Sequence, residues 1–201
     1  MQFHQALIFT LDQLNISTIE LAKKLCSNPR WIKEITTNSE WKPKFDTVLR
    51  ICYSLNVEVE SFLNIAEFGI DGNQLDMQRQ NAYSDCHKSV WAATPSQNII
   101  ILNTQPCHIS QTLRLFRKEK GITQRQLEQK TAFSKNTISF RESDRYQNYP
   151  TVTTLEIYCY AFNISLSDFV HQVFSFVIKE LEIVQGSRAL IQSVVAQKCT
   201  Y

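Results

Sequence analysis

Cysteine and histidine adjoin twice in this 201-residue chain, as Cys86-His87 and Cys107-His108, with 21 residues from one pair to the next. Adjacent ligands suit zinc poorly, because zinc sites usually space them two to four positions apart. The four histidines are otherwise scattered, with no Ser/His/Asp grouping in a recognisable frame and no Gly-rich phosphate loop. The sequence therefore predicts no enzyme, no metal and no cofactor. What remains is charge. The whole chain is only +2, but residues 114–145 hold nine Lys/Arg against four acids, a net of +5, while residues 1–66 balance at seven of each sign. A solvated basic face is the bland reading of that run; contact with a polyanion is the functional one.

The basic run sits on a recognisable pair of elements. In Lys120-Gly121-Ile122-Thr123-Gln124-x-x-Leu127 a glycine that tolerates the left-handed conformation stops one helix. Thr123 can then cap the next through its side-chain oxygen. A helix is expected over about 123–131 and a second over about 134–142, starting near Ser134 and carrying Ile138 inward. Two short helices joined by a tight turn form a helix-turn-helix, whose second helix can enter a major groove.

Residues 113–170 resemble the lambda-repressor and Cro (Xre-type) family of five-helix DNA-binding domains. Leu113, Arg117, Gly121, Thr123, Gln124, Leu127, Ser134, Ile138, Glu142, Pro150, Leu155, Phe162 and Phe169 carry the match. Two departures stand out: Arg141 occupies a position that the family fills with a large apolar residue, and Asp144 replaces a glycine, with a loop to Pro150 about one residue longer than usual. They predict a shifted end to the recognition helix. The resemblance implies a sequence-specific transcription regulator that binds double-stranded DNA. By that resemblance Lys135, Asn136 and Ser139 point to base edges, with Thr137 weaker. Lys135 suits guanine O6/N7 and Asn136 adenine N6/N7. Phe140 either touches a thymine methyl or turns into the core in place of Arg141. Gln124, Arg117, Arg125 and Arg145 are the expected phosphate contacts, which position rather than specify.

The same layout recurs upstream. Pro43, Thr47, Val48, Ile51, Cys52, Asn56 and Val57 parallel Pro150, Thr154, Leu155, Tyr158, Cys159, Asn163 and Ile164, 107 positions later. Ile16, Ser17, Leu21 and Ile32 parallel Ile122, Thr123, Leu127 and Ile138, 106 positions later. One single-residue indel near the end of the recognition helix reconciles the two offsets. This first copy lacks the turn glycine and has Pro29 at the start of its recognition helix, a place where proline is tolerated. Asn28, Arg30, Lys33, Lys42 and Lys44 would form a second DNA site, beside the aromatic surface of Trp31 and Trp41. The alternative is a degenerate copy used for dimerisation or partner binding, which its neutral charge favours.

The expected fold is therefore all-α: a degenerate helix-turn-helix domain over 1–66, a connector over 67–106, a DNA-binding domain over 107–170 and a helical extension over 171–201. In the connector, Leu75, Arg79, Ala82, Tyr83, Cys86 and Val90 predict a helix over about 73–92. Ile99–Leu102 reads as a buried strand or core-packing segment. Val170, Phe174, Val177, Leu181 and Val184 form an apolar stripe. Gly186 is expected to end that helix and Ser187 to cap another. The stripe either packs on its own domain or makes a homodimer, which would match a two-fold site. The first residues lack the marks of a secretory signal, and no apolar run approaches the roughly 20 residues of a membrane span. A cytoplasmic protein with free thiols is expected. The runner-up function is a protein-interaction or antitoxin-like module on the same scaffold, since fold does not fix function. A ligand-responsive regulator with the connector as sensor is a third, although no ligand signature is visible there.

Overall fold

The computed structural model describes residues 3–68, 93 and 95–198. They form eleven α-helices and no strand. The first five are α1 (Phe3–Leu14), α2 (Thr18–Lys24), α3 (Pro29–Thr37), α4 (Phe45–Leu55) and α5 (Val59–Phe68). After α6 (Pro95–Asn103) come α7 (Pro106–Glu119), α8 (Gln124–Thr131), α9 (Lys135–Arg141), α10 (Val152–Phe162) and α11 (Leu166–Lys198).

Side-chain oxygens start these helices by satisfying orphan amides of the first turn. Ser17 accepts from Glu20 N at 3.1 Å and Asn28 from Arg30 N at 2.8 Å. Thr123 accepts from Gln126 N and Ser134 from Thr137 N, both at 3.2 Å. Pro29 is the first residue of α3, where its missing N–H costs nothing.

Left-handed residues end them. Gly121 turns the chain after α7 at φ +64°, and Asn15, 106 positions earlier, makes the same turn at φ 52°. Asparagine tolerates this region better than most residues, which is how the N-terminal part manages without a glycine. Cys26 and Ala132 take left-handed φ between α2 and α3 and between α8 and α9, and Asn56 and Asn163 do so after α4 and α10. The amides of Asn56 and Asn163 close on matching carbonyls, Cys52 and Tyr53 in one case and Cys159 and Tyr160 in the other.

One continuous apolar core joins the helices. Leu21, Ile32, Val48 and Phe62 from the N-terminal set are fully buried, as are Leu127, Ile138, Leu155 and Phe169 from the C-terminal set. The two sets also meet through backbone. Lys44 and Thr151 form an isolated antiparallel bridge: Phe45 N donates to Pro150 O and Val152 N to Pro43 O, both at 2.9 Å. Tyr149 holds the longer loop in place by donating its hydroxyl to Thr104 O at 2.7 Å.

Three expectations change. Ile99–Leu102 lies inside helix α6, not in a strand. Only Ile101 of that run is buried, while Ile99 and Leu102 are exposed. A run of four apolar residues cannot tell helix from strand by periodicity. Gly186 does not end a helix: α11 continues through it to Lys198, and Ser187 starts nothing. A mid-helix glycine costs only about 1 kcal/mol, so it weakens a long helix without breaking it. α11 also begins at Leu166 and so crosses the expected boundary at 170/171. Its stripe is buried at Val170, Phe174 and Val177, half-buried at Leu181 and exposed at Val184. The first half thus packs on its own chain, against α5, α6 and α7. The connector helix over 73–92, with Cys86 and His87, lies outside the described residues, as does Cys199.

Cys26, Cys52, Cys107 and Cys159 are free thiols. Burial, then the Glu60 carboxylate, pushes the Cys52 thiol far above its usual range. That fits packing rather than reactivity. Among the described residues no single helix is long and apolar enough to cross a membrane.

Glu60 opens α5, which packs against α11. Burial raises its carboxyl above the ordinary range, its backbone hydrogen bond opposes this, Glu58 adds to the rise and His171 opposes it. A raised folded-state value means a contribution that is present below the unfolded value and lost as pH climbs through the folded one. Glu60→Gln should therefore raise Tm at pH 7–8, with the gain shrinking toward pH 4. The rise should stay within about 2–4 °C, the equivalent of roughly 1 kcal/mol in a chain of this length. Thermal melts across pH check it; a gain that grows on acidification contradicts it.

Candidate nucleic-acid interface

α9 presents one polar face and one buried residue. Ile138 is fully buried against the core, which turns Lys135, Asn136, Ser139 and Phe140 outward, all four exposed. Their spacings of three and four place them on one helical face. Thr137 is half-buried and its hydroxyl lies 2.9 Å from that of Ser134. The helix begins and ends one residue inside the expected limits, Ser134 and Glu142 being its caps.

The neighbours of α9 fix its position. Glu128 of α8 accepts from the Lys135 amide at 3.0 Å, which locks the start of α9 to the helix before it. At the other end Glu142, only 3% exposed, receives Arg117 Nε at 2.6 Å and Nη2 at 2.9 Å in a two-bond fork. Arg117 Nη1 donates to Ile122 O at 3.0 Å, and Gln124 Nε2 donates to Glu142 at 3.0 Å. Such forked, charge-assisted bonds are geometrically specific. They join α7, α8 and the end of α9 at one point.

That network changes two phosphate expectations. Arg117 is mostly buried, its guanidinium occupied by Glu142 and Ile122, so it positions helices rather than reaching outward. Gln124 is half-buried with its amide nitrogen on Glu142. Arg125 and Arg145 are exposed, as are Lys118, Lys120 and Lys130. Arg114 lies 3.3 Å from Asp144 on the surface, an ion pair of little energetic weight. It nevertheless accounts for an acid where the resembling family has glycine.

Arg141 fills the apolar position itself, so Phe140 does not turn inward. The Arg141 guanidinium lies 4.3 Å from the centre of the Phe133 ring and 5.9 Å from that of Tyr158. Its aliphatic stem covers apolar surface while the head stacks on the rings. Burial raises the Tyr158 hydroxyl above its ordinary range and Arg141 opposes the rise. Phe140 stays outside, 53% exposed, edge-on to Tyr146 with ring centres 5.4 Å apart.

Sequence reading missed the anchoring at the far side of α7. His108 is buried; its Nδ1 accepts from Gln105 N at 2.9 Å, and its Nε2 lies 2.6 Å from Glu180 Oε2 on α11. The Cys107-His108 pair therefore divides, the imidazole serving helix α7 and its contact with α11. Only the three-residue spacing from Gln105 to His108 hinted at it, and His is not the usual partner in a capping box.

On the N-terminal side, Arg30, Lys33, Lys42 and Lys44 are exposed. Asn28 is exposed too, but its Oδ1 caps α3. Trp31 and Trp41 are half-buried against the core, Trp41 edge-on to Phe3 at 6.4 Å, so they are less a surface than a wall. α3 and α9 start at equivalent positions, but α3 runs nine residues against seven for α9, and the loop that follows it is shorter, 38–44 against 142–151.

Glu142→Ala would leave Arg117 buried without its anion. It should cost about 3–5 kcal/mol of stability, the penalty typical of a broken buried pair. Arg125→Ala, on the surface, should cost less than about 0.5 kcal/mol. Denaturant unfolding of the two variants side by side measures the difference; equal losses would remove the network from its anchoring role.

Comparison with protein families gives one match, a helix-turn-helix family model over residues 113–169. Neither the curated proteins nor the solved structures give a match. The matched segment runs from the middle of α7 to the start of α11, and α8 and α9 are the two short helices joined by a turn within it.

Proposed function

We propose that the chain is a sequence-specific transcription regulator that reads the major groove of double-stranded DNA with α9. One observation carries this reading: the outward face of α9 holds Lys135, Asn136, Ser139 and Phe140, with exposed cations on the elements either side of it in the chain, Arg125 and Lys130 on α8, which packs against α9, and Arg145 in the loop after it. Base-edge donors and acceptors flanked by cations are what groove reading requires. Lys135 addresses guanine, Asn136 adenine and Phe140 a thymine methyl. Arg125 and Arg145 hold phosphates. The protein acts in the cytoplasm without a cofactor.

We read residues 1–66 as a second, diverged copy of the same domain, with 67–106 as connector, 107–170 as the reading domain and 171–201 as its extension. Support comes from the three left-handed positions and the caps Ser17 and Asn28, which recur 106 or 107 residues on. A protein partner or a homodimer contact is the second reading for the extension, favoured by the exposure of Ile178 and Val184 on α11.

Lys135→Ala and Asn136→Ala should each cost roughly 1–3 kcal/mol on the preferred site and relax preference at one base position. Equal loss on every sequence would remove the base-reading role. Arg125→Ala should weaken binding on all sequences and lower the slope of log affinity against log salt by about 1. Titrations at several salt concentrations measure both, and an unchanged slope contradicts a phosphate role for Arg125.

A further inference from the structure

The bridge between Lys44 and Thr151 joins equivalent residues. Positions 43, 44 and 45 are matched 107 residues later by 150, 151 and 152. The two hydrogen bonds are exchanged by that match: Phe45 N to Pro150 O becomes Val152 N to Pro43 O, at the same 2.9 Å. A contact in which i meets j and j meets i has a local two-fold axis. A second contact also joins counterpart elements. α5 packs on α11, whose opening turns are its counterpart, and Glu60 lies within electrostatic reach of His171. The segments that enter the bridge are the loops leaving α3 and α9. The operation that exchanges the loops exchanges those helices.

We propose that one chain is a built-in two-fold reader of DNA, with α3 and α9 set about this axis to address two unlike half-sites of an inverted arrangement. The proposal rests on the reading of α9 as a groove-reading helix. Helix-turn-helix pairs address half-sites about one turn of DNA apart, roughly 10 bp. Here the two faces differ. At the α3 positions equivalent to Asn136, Ser139 and Phe140 stand Arg30, Lys33 and Glu34, all exposed. Arginine and lysine select guanine and glutamate accepts from cytosine N4, whereas asparagine selects adenine. The α3 half-site is therefore G/C-rich, and the α9 half-site combines guanine with adenine. The C-terminal half supplies most of the cationic contact, since residues 1–66 are neutral overall.

The test uses the full chain. Bound duplexes are selected from a random library, the enriched site is footprinted, and the number of chains per duplex is measured by native mass spectrometry. The expected result is a non-symmetric site of two unlike halves about 10 bp apart, bound by one chain. Arg30→Ala should weaken binding about 5- to 150-fold, and adding Lys33→Ala should weaken it further. It should erase preference in one half only, with unchanged helical content by circular dichroism. Lys135→Ala should erase preference in the other half. A symmetric site holding two chains overturns the inference. So does a single half-site indifferent to Arg30 and Lys33; in both cases groove reading by α9 stands. Failure to enrich any sequence at low salt overturns the inference and the regulator reading together.

Discussion

The position of α9 depends on one buried carboxylate. Glu142 caps α9, accepts the fork of Arg117 from α7 and takes an amide hydrogen from Gln124 of α8. A charge that far from water is tolerated only when paired and fully bonded. That condition works as a geometric constraint: displacing any of the three helices leaves a charge without its counter-charge. A seven-residue helix has little stability of its own. Its orientation is borrowed from this cluster at one end, from Glu128 at the other and from Ile138 beneath.

Much of this was legible in the residues. Gly121 and Thr123 announced a stop and a start, because left-handed backbone and side-chain capping are local demands. Ile138 announced the inner face of α9, leaving the outer residues to follow by helical geometry. Legibility ended where partners were distant in sequence. Arg117 looked like an exposed cation, since nothing in its neighbourhood shows that Glu142, 25 residues on, consumes it. His108 likewise gave no sign of Glu180, 72 residues on. Gly186 failed as a stop signal because a stop needs a competing conformation downstream, and the residues beyond it continue as helix.

Phe140 and Arg141 show how two adjacent residues divide one problem. An arginine in an apolar slot invites its aromatic neighbour to take the slot instead. The slot, however, is lined by Phe133 and Tyr158, whose ring faces favour a guanidinium. Arg141 therefore stays, and Phe140 rests on Tyr146 at the surface. The departure from an apolar pattern is resolved by the chemistry of its walls rather than by a shift of the helix.

The bridge from Lys44 to Thr151 lies within a single polypeptide, and this has a consequence for how the protein responds to its own abundance. Subunits that pair across a two-fold axis separate on dilution, and their activity then climbs with the square of concentration. In the two-fold arrangement proposed above, two halves tied by their own backbone have no such threshold. Their arrangement is the same at one molecule per cell as at a thousand. Each half is also encoded separately, so a substitution on one side is not copied onto the other. In that proposed arrangement the two faces are free to drift apart under different selection while the axis between them is kept.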